Sequence, residues 1–338
     1  MAKRESANDV FRLLDQMGLP PNYVRSLLPS WWEDTAADSP AGMSEFKVML
    51  ARNLGIVVDG LGSKEPRLTF KLPHVRKLKR SIRYSESQLT PAVSIALAAA
   101  RIAAAACPTD FVPLPDAASL RKFVLKELEA KYVSLRSLIR TCWTHGIPVV
   151  HIAEYPDGMP KMDGLVASIQ GRPVIVIAKT TDFSAWMSFI LAHEIGHIAE
   201  GHFQNDELLV DEALTEGSVR STEPDPEERI ADEYALSLLG GVPGAEQRLA
   251  ATSSATEMAR VAMQDHRTQG VDAGHALLRF AYGTGEWGRA VAALKLLDTA
   301  RSAITDIRQA MMHEIDASLV SDSSLAFLCR VSGIRPGE

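Results

Sequence analysis

Apolar residues change their spacing several times along this chain, and each change marks a different kind of element. Between residues 8 and 60 they cluster as Val10-Phe11-Leu13-Leu14, Tyr23-Val24-Leu27-Leu28 and Phe46 to Leu54, with a Gly-Leu-Pro-Pro turn at 18–21. That pattern predicts several short helices. The alanine-rich stretch from Ala92 to Cys107, interrupted by Arg101, is shorter than the roughly 20 residues a membrane span needs and predicts a buried helix. A helical stretch from Ala117 to Thr144 ends at the Gly146-Ile-Pro turn. Short β-branched runs follow at Val149–Ile152, Gly164–Ala167 and Val174–Ile177, the pattern of a small sheet. Trp186, Phe189, Ile190, Ile195 and Ile198 then have the spacing of a buried helix, with Thr180-Thr181-Asp182 as its predicted N-cap. After residue 245 the pattern is helical again, with Val291, Leu294, Leu297 and Ile304 at helical intervals. This last part carries no chemical motif and reads as a helical extension or an oligomerisation element.

Together these patterns predict an α+β fold: a small sheet and paired active-site helices over 117–245, flanked by helical regions. The flanks divide into a helical N-terminal region at 1–65, a basic linker with the Ala-rich helix at 66–116, and a helical C-terminal region at 246–338. With 338 residues, 46% of them hydrophobic, the chain is long enough for a sizeable core, and a disordered chain is excluded. A net charge of −6 gives no global attraction to nucleic acid or to an anionic membrane, so such contacts would have to be local. Cys107, Cys142 and Cys329 are scattered and odd in number, as expected of reduced thiols. The first residues lack an apolar signal core. Both points lead us to expect a cytoplasmic protein with no membrane partner.

Two local features bear on nucleic acid. The run His74-Val-Arg76-Lys77-Leu-Lys79-Arg80-Ser-Ile-Arg83 reads as a solvated helix face in a connecting segment, or more sharply as a phosphate-contacting patch. Residues 43–57 resemble the closing helix of a repressor-type helix-turn-helix, although no helix upstream has the basic and amide side chains of a recognition helix. Trp31-Trp32 is followed by Glu33-Asp34, whose charge opposes phosphate, so the pair reads as a core anchor or a partner patch.

The chemistry is concentrated in Leu191-Ala-His193-Glu194-Ile195-Gly196-His197-Ile198, an H-E-x-x-H sequence within an apolar run. Two histidines four residues apart lie on one side of a helix and can grip one zinc ion, and the adjacent glutamate can activate a zinc-bound water. Residue frequencies alone would produce this motif in only about one or two per hundred chains of such composition, so coincidence is a weak explanation. A catalytic zinc needs a third protein ligand and one open position. The register that adds a histidine six residues after the second one finds Phe203, and His202, one residue short of it, reads as bordering the helix end. The better candidate is Glu228. Asp225 as N-cap, Pro226 at the first helical position and Gly240 at the end delimit a helix on which Glu228, Ala231, Asp232 and Ala235 share a face. Its small residues would allow close approach to the histidine helix, with Glu228 reaching the zinc and Asp232 orienting a histidine through its outer ring nitrogen. On spacing alone a capping box between Asp225 and Glu228 is an equal reading.

Gly171-Arg-Pro-Val-Ile-Val-Ile, Phe189-Ile-Leu-Ala-His-Glu-Ile-Gly-His-Ile and Glu228-x-x-Ala231-Asp232-x-Tyr234-Ala235-x-x-Leu238-Leu239 together resemble the ImmA/IrrE family of metallo-endopeptidases over roughly residues 119–242. The resemblance implies a zincin-like, gluzincin-type fold with zinc held by His193, His197 and Glu228, Glu194 as catalytic base and Asp232 behind the ligands. The chain departs from the family pattern at Asp232, where asparagine is usual, at Tyr234 for phenylalanine, and at Gly240 in place of a Met-Pro ending. The resemblance further implies a protease of narrow specificity that cleaves a transcriptional repressor, often of the helix-turn-helix kind, in a stress or mobile-element response. The rival expectation is a non-proteolytic regulatory protein that docks a repressor or DNA through its helical flanks. A structural zinc site is disfavoured, because such sites are closed and rich in cysteine.

Overall fold

The computed structural model describes residues 6–59, 67–72, 74–78, 86–160, 162–181, 183–202, 207–211, 225–297 and 303–335. The N-terminal pattern forms α1 (Ala7–Gln16), α2 (Pro21–Ser26) and α3 (Pro40–Leu54), followed by a two-stranded ribbon of β1 (Ile56–Asp59) and β2 (Arg67–Phe70). Ser6 and Ser39 cap α1 and α3 by accepting from Asp9 N and Gly42 N. Trp32 stacks on Phe46 at 5.2 Å, the core anchor that its position suggested, whereas Trp31 is exposed. Asn53 donates to Leu27 O at 3.1 Å and Tyr23 Oη donates to Glu154 O at 2.8 Å, tying this region together and to the segment just after His151.

Next come β3 (His74–Leu78), α4 (Glu86–Ala106), α5 (Ala117–Lys126), α6 (Leu135–Thr144), β4 (Val149–His151), β5 (Gly164–Ile169) and β6 (Arg172–Ile177). The chain continues through α7 (Ser184–Ala199), β7 (Glu207–Asp211), α8 (Pro226–Leu239), α9 (Ala245–Ala250) and α10 (Ala255–Gln269). It closes with α11 (Ala273–Thr284), α12 (Trp287–Leu297), α13 (Ala303–Glu314) and α14 (Asp322–Val331). The mixed five-stranded sheet has the order β3-β7-β5-β6-β4, and β5 runs opposite to the other four strands. The fold is α+β, a small sheet flanked by helices, as the pattern predicts.

Successive residues of β5 and β6 are buried whichever way they point, which requires cover on both faces of the sheet. One cover is α4, which packs on β4, β5 and β6; the other is α7. The apolarity of α4, sufficient by length and composition for a membrane span, is accounted for by this position, since its residues 91–100 are all buried. α13 and α14 return from the C-terminal part to the same core, α13 on α6 and β4, α14 on α4. A separate, smaller core joins α9, α10, α11 and α12 to the first turns of α7.

Three sequence readings are corrected. The stretch 117–144 is two helices, because Glu129 takes a positive φ of 52° and Ser134 starts a capping box with Ser137. Residues 74–78 of the basic run are a strand pairing parallel with β7, where sheet hydrogen bonding overrides a helical reading; residues 79–83 lie outside the described residues. The N-cap of α7 is Phe183, whose N–H is held by Thr181 Oγ1 at 3.3 Å; Asp182 is outside the described residues. β6, the strand before the H-E-x-x-H helix, is paired on both sides, with β4 and with β5, and so lies inside the sheet.

Since β3 and α4 both precede residue 117 and α13 and α14 both follow 245, a 111–245 fragment would lose its cover and one edge of its sheet. We expect it to be insoluble or to melt without a cooperative transition. Near-UV circular dichroism and a thermal melt check this, and a sharp melt with native-like near-UV signal would contradict it.

Candidate metal centre

The centre depends on how closely α7 and α8 approach. A Cβ on Gly196 would lie 3.0 Å from Ala231 O and 3.1 Å from both Ala231 Cα and Tyr234 Cβ, so glycine on one helix and alanine on the other set the spacing. α8 is fixed by the predicted devices: Asp225 accepts from Glu227 N at 3.0 Å, Pro226 opens the helix and Gly240 ends it. Arg121 of α5 donates to Leu238 O at 2.9 Å and Leu239 O at 2.8 Å, satisfying carbonyls that the helix end would leave bare. Gly240 takes a φ of +80°, a conformation side chains rarely adopt, and a Cβ there would come 2.6 Å from that guanidinium, which together account for glycine at this position. The Tyr234 hydroxyl donates to Pro115 O at 2.7 Å, tying α8 to the segment before α5.

At this contact Glu228 is buried beside the two histidines. His193 Nε2 is 3.0 Å from His197 Nε2 and 3.4 Å from Glu228 Oε2, and His197 Nε2 is 3.7 Å from Glu228 Oε1. Donor atoms at about 2.0–2.2 Å from one tetrahedral zinc stand roughly 3.3–3.5 Å apart, so the three side chains fit such an ion. Among the described residues, His193, His197 and Glu228 are the group whose ligand atoms converge closely enough to hold a metal, and all three are buried. Of the two readings of Glu228, the metal-facing one matches the position of its carboxylate.

The outer ring nitrogens decide which nitrogen of each histidine is left to bind. His193 Nδ1 donates to Asp232 Oδ1 at 2.9 Å, and Tyr282 Oη of α11 donates to Asp232 Oδ2 at 3.4 Å. Held this way, His193 presents the lone pair of Nε2 to the cluster. His197 Nδ1 lies 2.8 Å from His202 Nδ1, and with His197 donating the same orientation results. Sequence reasoning placed Asp232 here but left His202 at the helix border and missed Tyr282. His202 is five residues after His197, just past the end of α7, and that offset was the available signal; Tyr282 lies 50 residues after Asp232, on a helix without a motif.

Glu194, on the same helix, is buried and lies against β5: a Cβ at Gly164 would overlap its carboxylate. β5 therefore needs glycine at its first position to make room for that side chain. The arrangement is an H-E-x-x-H zinc-binding cluster completed by a glutamate from a second helix, in an α+β fold with a small sheet. Compared with known proteins, the chain matches no family model, no curated protein and no solved structure.

If Asp232 and His202 hold the ligating histidines, Asp232→Ala and His202→Ala should each lower zinc affinity by about 10- to 100-fold while leaving the fold intact. Competition against a chromophoric chelator measures this, with the melting temperature as control. Unchanged affinity in both variants would remove them from the centre.

Proposed function

We propose that this protein is a zinc-dependent endopeptidase of the ImmA/IrrE kind, acting on a protein substrate in the cytoplasm. The observation that carries the reading is the convergence of His193, His197 and Glu228 beside a buried Glu194, with a partner behind each histidine. Three ligands leave one coordination position for water, which separates a catalytic site from a closed structural one. When bound, zinc would supply an activated water and polarise the scissile carbonyl. Glu194 takes a proton at its carboxylate and later delivers it to the leaving amine. Gly164 leaves space for that carboxylate, and Asp232 and His202 keep the histidines oriented through the cycle. A helix-turn-helix repressor is the substrate class that the resemblance suggests, and the helical flanks are the parts available to recognise it. Direct contact with DNA is the weaker proposal, supported only by the basic composition of 74–83 and the helix-turn-helix likeness of residues 43–57.

The purified protein should bind about one zinc per chain, and His193→Ala, His197→Ala and Glu228→Ala should each reduce this, as read by metal analysis. Full occupancy in Glu228→Ala would move the third ligand elsewhere, with Glu227 next in line.

Glu194→Gln should keep zinc and fold but lose at least about 10²-fold in cleavage rate, because an amide cannot accept the proton. Gly164→Ala should reproduce part of that loss by displacing the carboxylate while metal content stays near one. A Glu194→Gln protein as active in cells as wild type would replace the peptidase reading with that of a regulatory binding protein.

A further inference from the structure

The C-terminal helices reach the metal centre through α11, which contacts both ligand-bearing helices. On the α7 side, a Cβ on Gly274 would come within 2.6 Å of Ala185 Cβ, so the start of α11 lies directly on the first turn of α7. On the α8 side α11 makes two polar links. The buried His275 donates from Nε2 to Gly240 O at 3.1 Å, and Tyr282 donates from Oη to Asp232 Oδ2 at 3.4 Å. His275 and Tyr282 are seven residues apart and share a face of α11, while their partners are eight residues apart in the opposite chain direction. α11 therefore runs along α8 and holds it at two points about two turns apart.

One of those points is the carboxylate that holds a ligand. Asp232 accepts from His193 Nδ1 at 2.9 Å, and its side chain is 23% exposed, so water can compete for it. The last torsion of an aspartate is soft, and a carboxylate held at one oxygen alone can turn. Among the described residues, Asp232 is held at both: His193 Nδ1 donates to Oδ1 and Tyr282 Oη to Oδ2. The Tyr282 ring lines a small aromatic pocket with Trp186, Phe189, Leu236 and Trp287, and this packing limits where its hydroxyl can point.

We infer that Tyr282 is a positioning residue of the metal centre. By fixing the second oxygen of Asp232 it fixes the ring of His193, and with it the direction of Nε2 toward the other ligands. The inference rests on the metal-binding part of the peptidase reading and does not depend on cleavage. It makes α11 part of the centre, a task for which the sequence of the C-terminal region carries no motif.

The test uses the full-length protein and three variants: Tyr282→Phe, Asp232→Ala and the two combined. Competition against a chromophoric chelator gives zinc affinity, and cobalt(II) loaded in place of zinc reports ligand geometry through its visible absorption. Tyr282 stands one hydrogen bond farther from the metal than Asp232, and that bond is long. Tyr282→Phe should therefore lower zinc affinity by about 3- to 10-fold, less than the loss of a direct partner, and should shift the cobalt bands. In the Asp232→Ala background the same change should have no effect, because the carboxylate it acts through is gone. A loss of equal size in both backgrounds would make Tyr282 a packing residue and overturn the inference. So would wild-type affinity and wild-type cobalt bands in a Tyr282→Phe protein whose melting temperature is unchanged. A wild-type protein that takes up neither zinc nor cobalt overturns the metal centre itself, and the peptidase reading with it.

Discussion

The close packing of α7 on α8 is the contact on which the rest of this structure depends. A carboxylate brought beside two histidines in a buried setting is costly unless a cation or protons answer its charge. Here the approach is made possible by the absence of side-chain bulk at Gly196 and Ala231, and it is held by devices at both ends of α8. Asp225 fixes the start of that helix and Arg121 its end. Neither residue belongs to the ligand group, yet both help determine where Glu228 stands.

A second layer of polar residues backs the cluster, two of them close to the ligands in sequence and one from a later helix. Asp232, Tyr282 and His202 each lie behind a ligand or behind the residue that holds one. The region around α11 thereby contributes both to the orientation of His193 and to the aromatic pocket nearby. A centre that reads as a local motif is supported by three separate segments.

How much was legible beforehand follows the range of the interactions. H-E-x-x-H, the cap at Asp225, Pro226 and Gly240 are written within one or two helical turns, and the sequence displays them directly. The β-branched runs at β5 and β6 were equally visible, because strands buried on both faces are apolar throughout. What the pattern could not reveal depends on pairing between remote segments. β3 carries a basic composition that favours no strand, and only its alignment with β7 makes it one. Tyr282 looks like any helical tyrosine until the fold sets it against Asp232, and Arg121 gives no sign in the sequence that it closes α8.

The return of α13 and α14 to the first core has a consequence for biosynthesis. α4 is made well before the helices that finish covering it and the neighbouring β4, which follow it by nearly 200 residues or more. Until then a long, almost wholly apolar helix has no complete cover, and the nascent chain is at its most prone to aggregate or to engage a chaperone. The arrangement also delays the finished centre, since Tyr282 emerges well after both ligand-bearing helices. A metal centre assembled in this order acquires its full outer support only after both ligand-bearing helices have been made.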